Sequence, residues 1–347
     1  MMNKIRIGNR RIGKGEPAFI IAEIGSNHDG KLMQAKKLIR QAAEAGADAV
    51  KFQSFSAEGL LSRMKPDEKG KWSQNPAYEK IKELELKGEW HRKLSTYAKK
   101  CDVIFMSTPF DEEKAKLLNS VGVPAFKIAS GDMNYFQLLK NVAGFKKPVI
   151  LSTGMATIKE VEKSVNVIRA AGNRKIILLH CTAAYPSSYG DVNIKAMQTL
   201  GKKFGLPVGL SDHTEGIEVP VAAAALGANV IEKHITLDRN LKGPDHHFAI
   251  TVDELKEMIK QIRNVEEALG DGVKRVAKAE KEVRARARRS IYAKVDIPKG
   301  SAIKKDAVKI VRQGRGLTPK DLGKVLGKKA KRTIKKDTLI RAGDLWS

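Results

Sequence analysis

Eight short apolar segments, each followed by a helix-like stretch or a long loop, recur through the first 250 residues, and this alternation constrains the fold more than any other feature. They read FIIAEIG (19–25), AVKFQS (49–54), VIFMSTPF (103–110), AFKIASGD (125–132), VILSTG (149–154), IILLHCTAAYP (176–186), VGLSDH (208–213) and VIEKHIT (230–236). Strands that alternate with amphipathic helices form a parallel sheet. Eight such units in about 250 residues fit an α/β fold of the closed (β/α)₈ kind, a TIM barrel, better than an open doubly wound sheet. No G-x-G-x-x-G follows the first strand, which argues against dinucleotide binding. A short hairpin (KIRIG, RRIG) precedes that strand, and residues 55–88 read as a long loop over the strand ends with one short helix.

The ends of the segments carry the chemistry. They finish in Glu23 and Asn27, Lys51 and Gln53, Ser107 and Thr108, Lys127 and Ser130, Ser152 and Thr153, Tyr185, Ser211 and His213, and His234. In a barrel of this type all strand C-termini open on one face, where active sites are built. A lysine inside an apolar run such as VKFQ or FKIAS requires an anionic partner against its desolvation. That partner is either a ligand or a structural carboxylate, Glu23 or Asp132. Two lysines with several hydroxyls at one mouth suit an oxyanion pocket for phosphate and carboxylate groups. No P-loop is present, so the ligand is a small dianion and not a nucleoside triphosphate.

Two imidazoles complete the mouth. His213 and His234 sit at the ends of consecutive apolar strands joined through a helix, flanked by Ser211, Asp212 and Asp245. Neighbouring strands lie about 5 Å apart, so the pair is placed to grip one divalent ion. Two ligands plus open positions favour octahedral Mn²⁺ or Mg²⁺ over a closed tetrahedral zinc site. Among the other candidates, His28 either touches the site or caps the first helix. His180 is read as core or supporting, and of His246 and His247 one lines the mouth while the other faces water. His91 and Cys101 are read as surface or packing residues, and Cys181 has no base beside it to make it a nucleophile.

The chain has 347 residues with 42% hydrophobic and 30% charged side chains. No apolar run approaches the roughly 20 residues of a membrane-spanning helix. The start, MMNKIRIGNRRIG, lacks a secretory apolar core, which makes the cytoplasm the expected location. Two cysteines suit a reducing compartment. The net charge of +26 is spread along the chain, and with 5% aromatic residues and no RNA-binding motif it disfavours nucleic acid as a partner. An anionic substrate or a Lys-rich surface accounts for it. From about Ala268 the composition turns basic. From Asp271 onward about two dozen Lys/Arg face about eight Asp/Glu, and the phrases DIPKGSAIKKDAV and TIKKDTLIRAGDL repeat one another. The expected division is a barrel over 1–269, a linker over 270–288 and a second domain over 289–347.

These phrases, in the order AEIGSNHDG, AGADAVKFQ, STPFD, KIASGD, STGMAT, HCTAAYP, GLSDHT, EKHITLDRNLKGPDHHF and RRSIYAKVDIPKG, resemble the sialic acid synthase family, whose members carry a C-terminal antifreeze-like (SAF, β-clip) domain. The resemblance spans essentially the whole chain. It implies condensation of phosphoenolpyruvate with an N-acylated hexosamine-type aldehyde, N-acetylmannosamine or a 2,4-diacetamido-trideoxyhexose, to a nonulosonic acid and phosphate. It further implies that His213 and His234 bind a divalent metal, Mn²⁺ with Mg²⁺ or Co²⁺ as alternatives. By the same resemblance Lys51, Thr108, Lys127, Ser130, Ser152 and Ser211 hold phosphoenolpyruvate, and Glu23 moves protons. Gln53, Asn75, Tyr185 and Asp245 meet the acceptor sugar, and Arg312 reaches it from the partner subunit of a domain-swapped homodimer. The chain departs from the family pattern at Ala183, at Gln313, at Ala287 and at Asp132, where a glutamate is common. GPDHHF leans towards sialic or legionaminic acids. Two alternatives stand beside this reading: a deoxy-sugar-phosphate synthase of the same barrel type acting on a phosphorylated acceptor, and a non-catalytic carbohydrate-binding scaffold.

Overall fold

A computed structural model describes residues 4–346; the first three residues of the N-terminal stretch and the last residue of the second domain fall outside it. The chain divides into two compact units, Met1–Gly270 and Asp271–Ser347. Of the stretch 270–288, all but Gly270 falls in the second of these, and it contains a helix, Glu280–Ala287.

The first unit is the expected (β/α)₈ barrel. Its strands are β1 (Phe19–Gly25), β2 (Ala49–Ser54), β3 (Ile104–Pro109), β4 (Phe126–Ile128), β5 (Val149–Ser152), β6 (Ile176–Cys181), β7 (Val208–Asp212) and β8 (Val230–Thr236). They run parallel in the spatial order β3-β2-β1-β8-β7-β6-β5-β4, with β3 and β4 packed side by side to bring the sheet almost to closure. The helices α1 (Leu32–Glu44), α2 (Gly88–Lys100), α3 (Glu112–Val121), α4 (Phe136–Gly144), α5 (Ile158–Ala170), α6 (Lys195–Phe204), α7 (Glu218–Ala225) and α8 (Val252–Leu269) follow the eight strands in turn.

Alternation of side chains across each strand sorts them into two layers. Outward residues such as Ile20, Phe52, Phe126, Leu178, Leu210 and Ile231 form the main core with the helices. Inward residues such as Ile21, Met106, Ile150, Ile177 and Val230 fill the lower barrel, which the N-terminal hairpin (Ile5–Ile7, Arg10–Ile12) closes. Capping boxes at Thr157/Glu160 and Thr251/Glu254 start α5 and α8, each satisfying two backbone donors that the first turn leaves free. The stretch 55–88 is more ordered than the sequence suggests: it holds two short helices (Ala57–Leu60, Ala77–Glu83) around a small hairpin (Met64–Pro66, Trp72–Gln74).

The second unit has its own small core of Ile291, Ile297, Ile303, Val325, Ile334 and Ile340. One antiparallel pair, Arg289–Ala293 with Val308–Arg312, frames it. The two similar phrases adopt similar shapes, each running through isolated bridges into a short 3₁₀ turn, and they pair with one another at Ile297 and Ile334. No helix among the described residues is long and apolar enough to cross a membrane.

Candidate active site

The upper, inward layer of the barrel is charged and almost closed to solvent. Lys51 on β2 and Lys127 on β4 are both buried. The Lys51 ammonium lies 2.7 Å from Glu23 on β1 and 3.7 Å from Glu232 on β8, and donates to the Thr108 hydroxyl on β3 at 3.1 Å. Lys127 donates to the other oxygen of Glu232 at 3.0 Å, and Ser211 on β7 donates to that same oxygen at 2.9 Å. Glu232 therefore ties four strands together at the centre of the mouth. Sequence reasoning missed it and assigned the lysines only Glu23 or Asp132 as structural partners. The signal was available: Glu232 is two residues before His234 on one strand, hence on the same face.

Two buried carboxylates sharing one ammonium are pushed to opposite protonation states. Burial drives the Glu23 carboxyl up; Lys51 opposes it, but the Glu232 charge adds to the rise, and Glu23 arrives at about 7. Burial also acts on Glu232, where Lys127 and Lys51 together outweigh it and bring the group down to about 2. Glu232 is thus a fixed counter-ion, and Glu23 is a group that exchanges its proton near neutrality. Asp132 is a second such group. Burial lifts it to about 6 against the pull of Lys127, and one of its oxygens is buried without a hydrogen-bond partner.

Gly25, at the bulged end of β1, has φ +51°, and a Cβ there would stand 3.3 Å from both Asp245 and Glu23 and 3.4 Å from Gln53. A side chain at this position would be strained and would also fill the space between those groups. Gln53 donates to Glu23 at 3.2 Å. At the neighbouring strand ends the Gly154 amide donates to the Ser130 hydroxyl at 3.0 Å, and a Cβ on Gly154 would meet that oxygen at 2.9 Å. The Ser152 hydroxyl is buried with no partner. The mouth thus combines two cations with hydroxyl and amide donors.

The two imidazoles lie side by side, ring centroids 5.4 Å apart. His213 Nδ1 donates to the Thr182 carbonyl at 3.0 Å, which leaves the Nε2 lone pair free. Burial holds His213 down at about 4 and His234 well below the usual histidine range, the latter aided by His213 and Lys51. His234 Nδ1 is buried without a hydrogen bond, 3.8 Å from an Asp245 oxygen. Two neutral imidazoles, one with an unpartnered nitrogen, are the donor set a divalent cation needs. Among the described residues no group of three or more His, Cys, Asp or Glu is placed to hold a metal, so such an ion would rest on these two and on solvent or substrate oxygens. Tyr185 covers His213 edge-on at 4.4 Å, and burial raises its phenol above the ordinary value.

Asn75 is used locally in the 55–88 stretch, donating to the Ser62 carbonyl and accepting from the Ala77 amide. Arg312 ends a strand of the second unit opposite Arg289. His28 does not cap α1; its Nδ1 accepts from Gly30 and its Nε2 is buried without a partner. His91 is buried, not on the surface, and joins Ser54 and Ser107 in a hydrogen-bonded chain. His180 bonds the Val192 carbonyl. His246 is buried between Thr236 and Asp29 while His247 is exposed. Contrary to the sequence reading, an imidazole does lie beside Cys181, its Sγ 3.8 Å from His213 Nδ1; that nitrogen is engaged by the Thr182 carbonyl and burial raises the thiol, which fits an inert side chain.

The ionisations give a pH prediction. If Glu23 and Asp132 act as bases, the plot of log kcat/KM against pH rises as they lose protons, through two inflections near 6 and 7. Glu23→Gln is expected to remove the upper inflection. A profile flat from pH 5 to 8 would exclude both as titrating catalytic groups.

The family model of the NeuB family matches residues 38–274, and that of the SAF domain matches 288–345. The chain is 44% identical to the N,N'-diacetyllegionaminic acid synthase of Campylobacter jejuni over 93% of this chain and 98% of that protein. It is 36% identical to the human N-acetylneuraminate-9-phosphate synthase over 95% and 93% of the two chains. Among solved structures, the N-acetylneuraminic acid synthetase of Leptospira borgpetersenii superposes with a TM-score of 0.74 at 36% identity, covering 82% of this chain and 95% of that one. The family, the barrel and the C-terminal domain thus agree: the chain belongs to the NeuB family of nonulosonic acid synthases and carries a C-terminal SAF domain.

Proposed function

We propose that this enzyme condenses phosphoenolpyruvate with the aldehyde of an unphosphorylated N-acyl hexosamine-type sugar, giving a nonulosonic acid and phosphate. The observation that carries this reading is the pair of buried ammonium groups, Lys51 and Lys127, held at one mouth beside two neutral imidazoles. The carboxylate and phosphate of phosphoenolpyruvate take up Lys51, Lys127 and the hydroxyls of Thr108, Ser130, Ser152 and Ser211, so that the lysines exchange a protein carboxylate for a substrate anion. The methylene carbon of phosphoenolpyruvate forms the new bond to the aldehyde carbon, and the aldehyde oxygen takes a proton. Water adds at C2 and loses one proton; the C2–O bond to phosphate then breaks with its electrons leaving on phosphate as the new C2 hydroxyl gives up its other proton and becomes the keto group, the two protons balancing those taken by the aldehyde oxygen and the phosphate. Glu23 takes the proton from that water, with Asp132 a second carboxyl able to exchange one. His213 and His234 would hold a divalent cation, Mn²⁺ or alternatively Mg²⁺ or Co²⁺, whose chemistry is Lewis-acid polarisation of the aldehyde. Gln53, Tyr185 and Asp245 face the acceptor.

Arg312 serves the same acceptor from the SAF domain of a second subunit in a domain-swapped homodimer. Arg312→Ala is expected to raise the acceptor KM about 10- to 100-fold, the range for losing one charged hydrogen bond, with the KM for phosphoenolpyruvate unchanged. An unchanged acceptor KM would exclude the arginine from the site.

The substrate is tested by mass spectrometry of products from a panel of N-acyl hexosamines and their phosphorylated forms, with phosphoenolpyruvate and Mn²⁺. A product with an unphosphorylated sugar supports the proposal. A product with phosphorylated sugars alone would move the enzyme towards the activity for which the human relative is named.

A further inference from the structure

The two histidine-bearing strands are joined on their outer face by an ion pair that the mouth does not use. In the β7–β8 ladder Ser211 lies opposite Glu232, and Asp212 lies opposite Lys233. Because side chains alternate, Ser211 and Glu232 point to the barrel axis, Asp212 and Lys233 to the helix layer, and His213 and His234 to the axis again. The Lys233 ammonium sits 2.5 Å from an Asp212 oxygen and also donates to the Thr214 carbonyl. Asp212 accepts in addition from the Thr214 amide at 3.2 Å and from its hydroxyl at 2.9 Å. All three residues are at most 3% exposed.

This arrangement brackets one imidazole and adjoins the other. Asp212 and Thr214 are the immediate neighbours of His213, and both are bound to a single ammonium whose own next residue is His234. Stability does not require a lysine here. Ile231 and Ile235, the other outward residues of β8, belong to the apolar core, and an apolar pair of similar volume is often no less stable than a buried ion pair. The ion pair adds direction. A slip of one residue by either strand past the other would exchange that strand's faces and turn its imidazole away from the axis, and a charged pair fixed on the outer face opposes that slip.

We propose that Lys233 and Asp212 are positioning residues that set the spacing and aim of His213 and His234 from behind the strands. The inference rests on the reading of the two histidines as a cation site. The test is titration of the full-length protein with Mn²⁺, following the electron paramagnetic resonance signal of the free ion, together with thermal melting and phosphoenolpyruvate binding. The variants are Lys233→Met, the apolar double variant Asp212→Leu/Lys233→Met, and His213→Ala as the control for loss of a ligand. The double variant is expected to melt within a few degrees of wild type and to bind phosphoenolpyruvate normally, yet to bind Mn²⁺ at least tenfold more weakly. Wild-type Mn²⁺ affinity in the folded double variant would overturn the proposal. Failure of that variant to fold would also overturn it, showing that the pair carries stability and not aim. Wild-type protein that binds no more Mn²⁺ than His213→Ala would remove the cation reading itself, and the positioning role with it.

Discussion

Lys127→Ala is expected to lower kcat/KM for phosphoenolpyruvate by about 10³-fold, the upper range for deleting one preorganised charge-stabilising group. Lys127 is buried on the short strand β4 and holds one oxygen of Glu232 at 3.0 Å, while Lys51 stands 3.7 Å from the other. Removing it therefore does two separable things: it takes one of two cations from the proposed anion pocket, and it strips Glu232 of its nearer charge partner. Breaking a buried pair on one side costs about 3–5 kcal/mol, so the melting temperature should fall as well. The double variant Lys127→Met/Glu232→Leu removes both charges and should recover most of the lost stability while staying inactive. Recovery of melting without recovery of rate identifies the lysine as a substrate ligand. Lys127→Ala retaining more than a tenth of wild-type kcat/KM would contradict the role.

The second large effect is at the imidazoles. His234→Ala is expected to lower turnover by at least about 10³-fold, since it removes half of the only protein donor set proposed for the cation and with it the source of Lewis-acid stabilisation. The loss should be specific. In the proposed mechanism phosphoenolpyruvate is held by Lys51, Lys127 and the hydroxyls, so its dissociation constant should change less than threefold, and added Mn²⁺ should not rescue the rate. Neither histidine is expected to show a charged form above pH 5, because burial lowers both. Wild-type protein that keeps full turnover after exhaustive treatment with EDTA would count against the metal role of both residues.

The barrel was legible because two simple periods recur eight times, and the strand boundaries shifted by only a few residues between sequence and structure. The ends of strands were legible for the same reason: in a parallel barrel they share one face whatever their distance along the chain. What escaped was the pairing across the barrel. Lys127 meets Glu232, 105 residues away, and not Asp132, five residues away, because closure of the sheet and not sequence proximity decides who faces whom. Glu232 escaped for a related reason, since attention to strand ends passed over a charge buried within a strand. Asn75 lies in a connection with no period to fix its direction, and its side chain bonds within the local hairpin and helix start. His91, read as a surface or packing residue, is a packing one: α2 sets it against Ser54, which in turn bonds Ser107 on the next strand.

The claim beneath all of this is that one mouth gathers two cations for one small acid. Diffraction from crystals grown with phosphoenolpyruvate and Mn²⁺ tests it most directly. The account predicts density for the ligand at the C-terminal end of the barrel, with its two anionic groups within hydrogen-bond distance of Lys51 and Lys127 and the ion between His213 and His234. A ligand bound away from the barrel mouth, with Lys51 still on Glu23 and Lys127 still on Glu232, would contradict it.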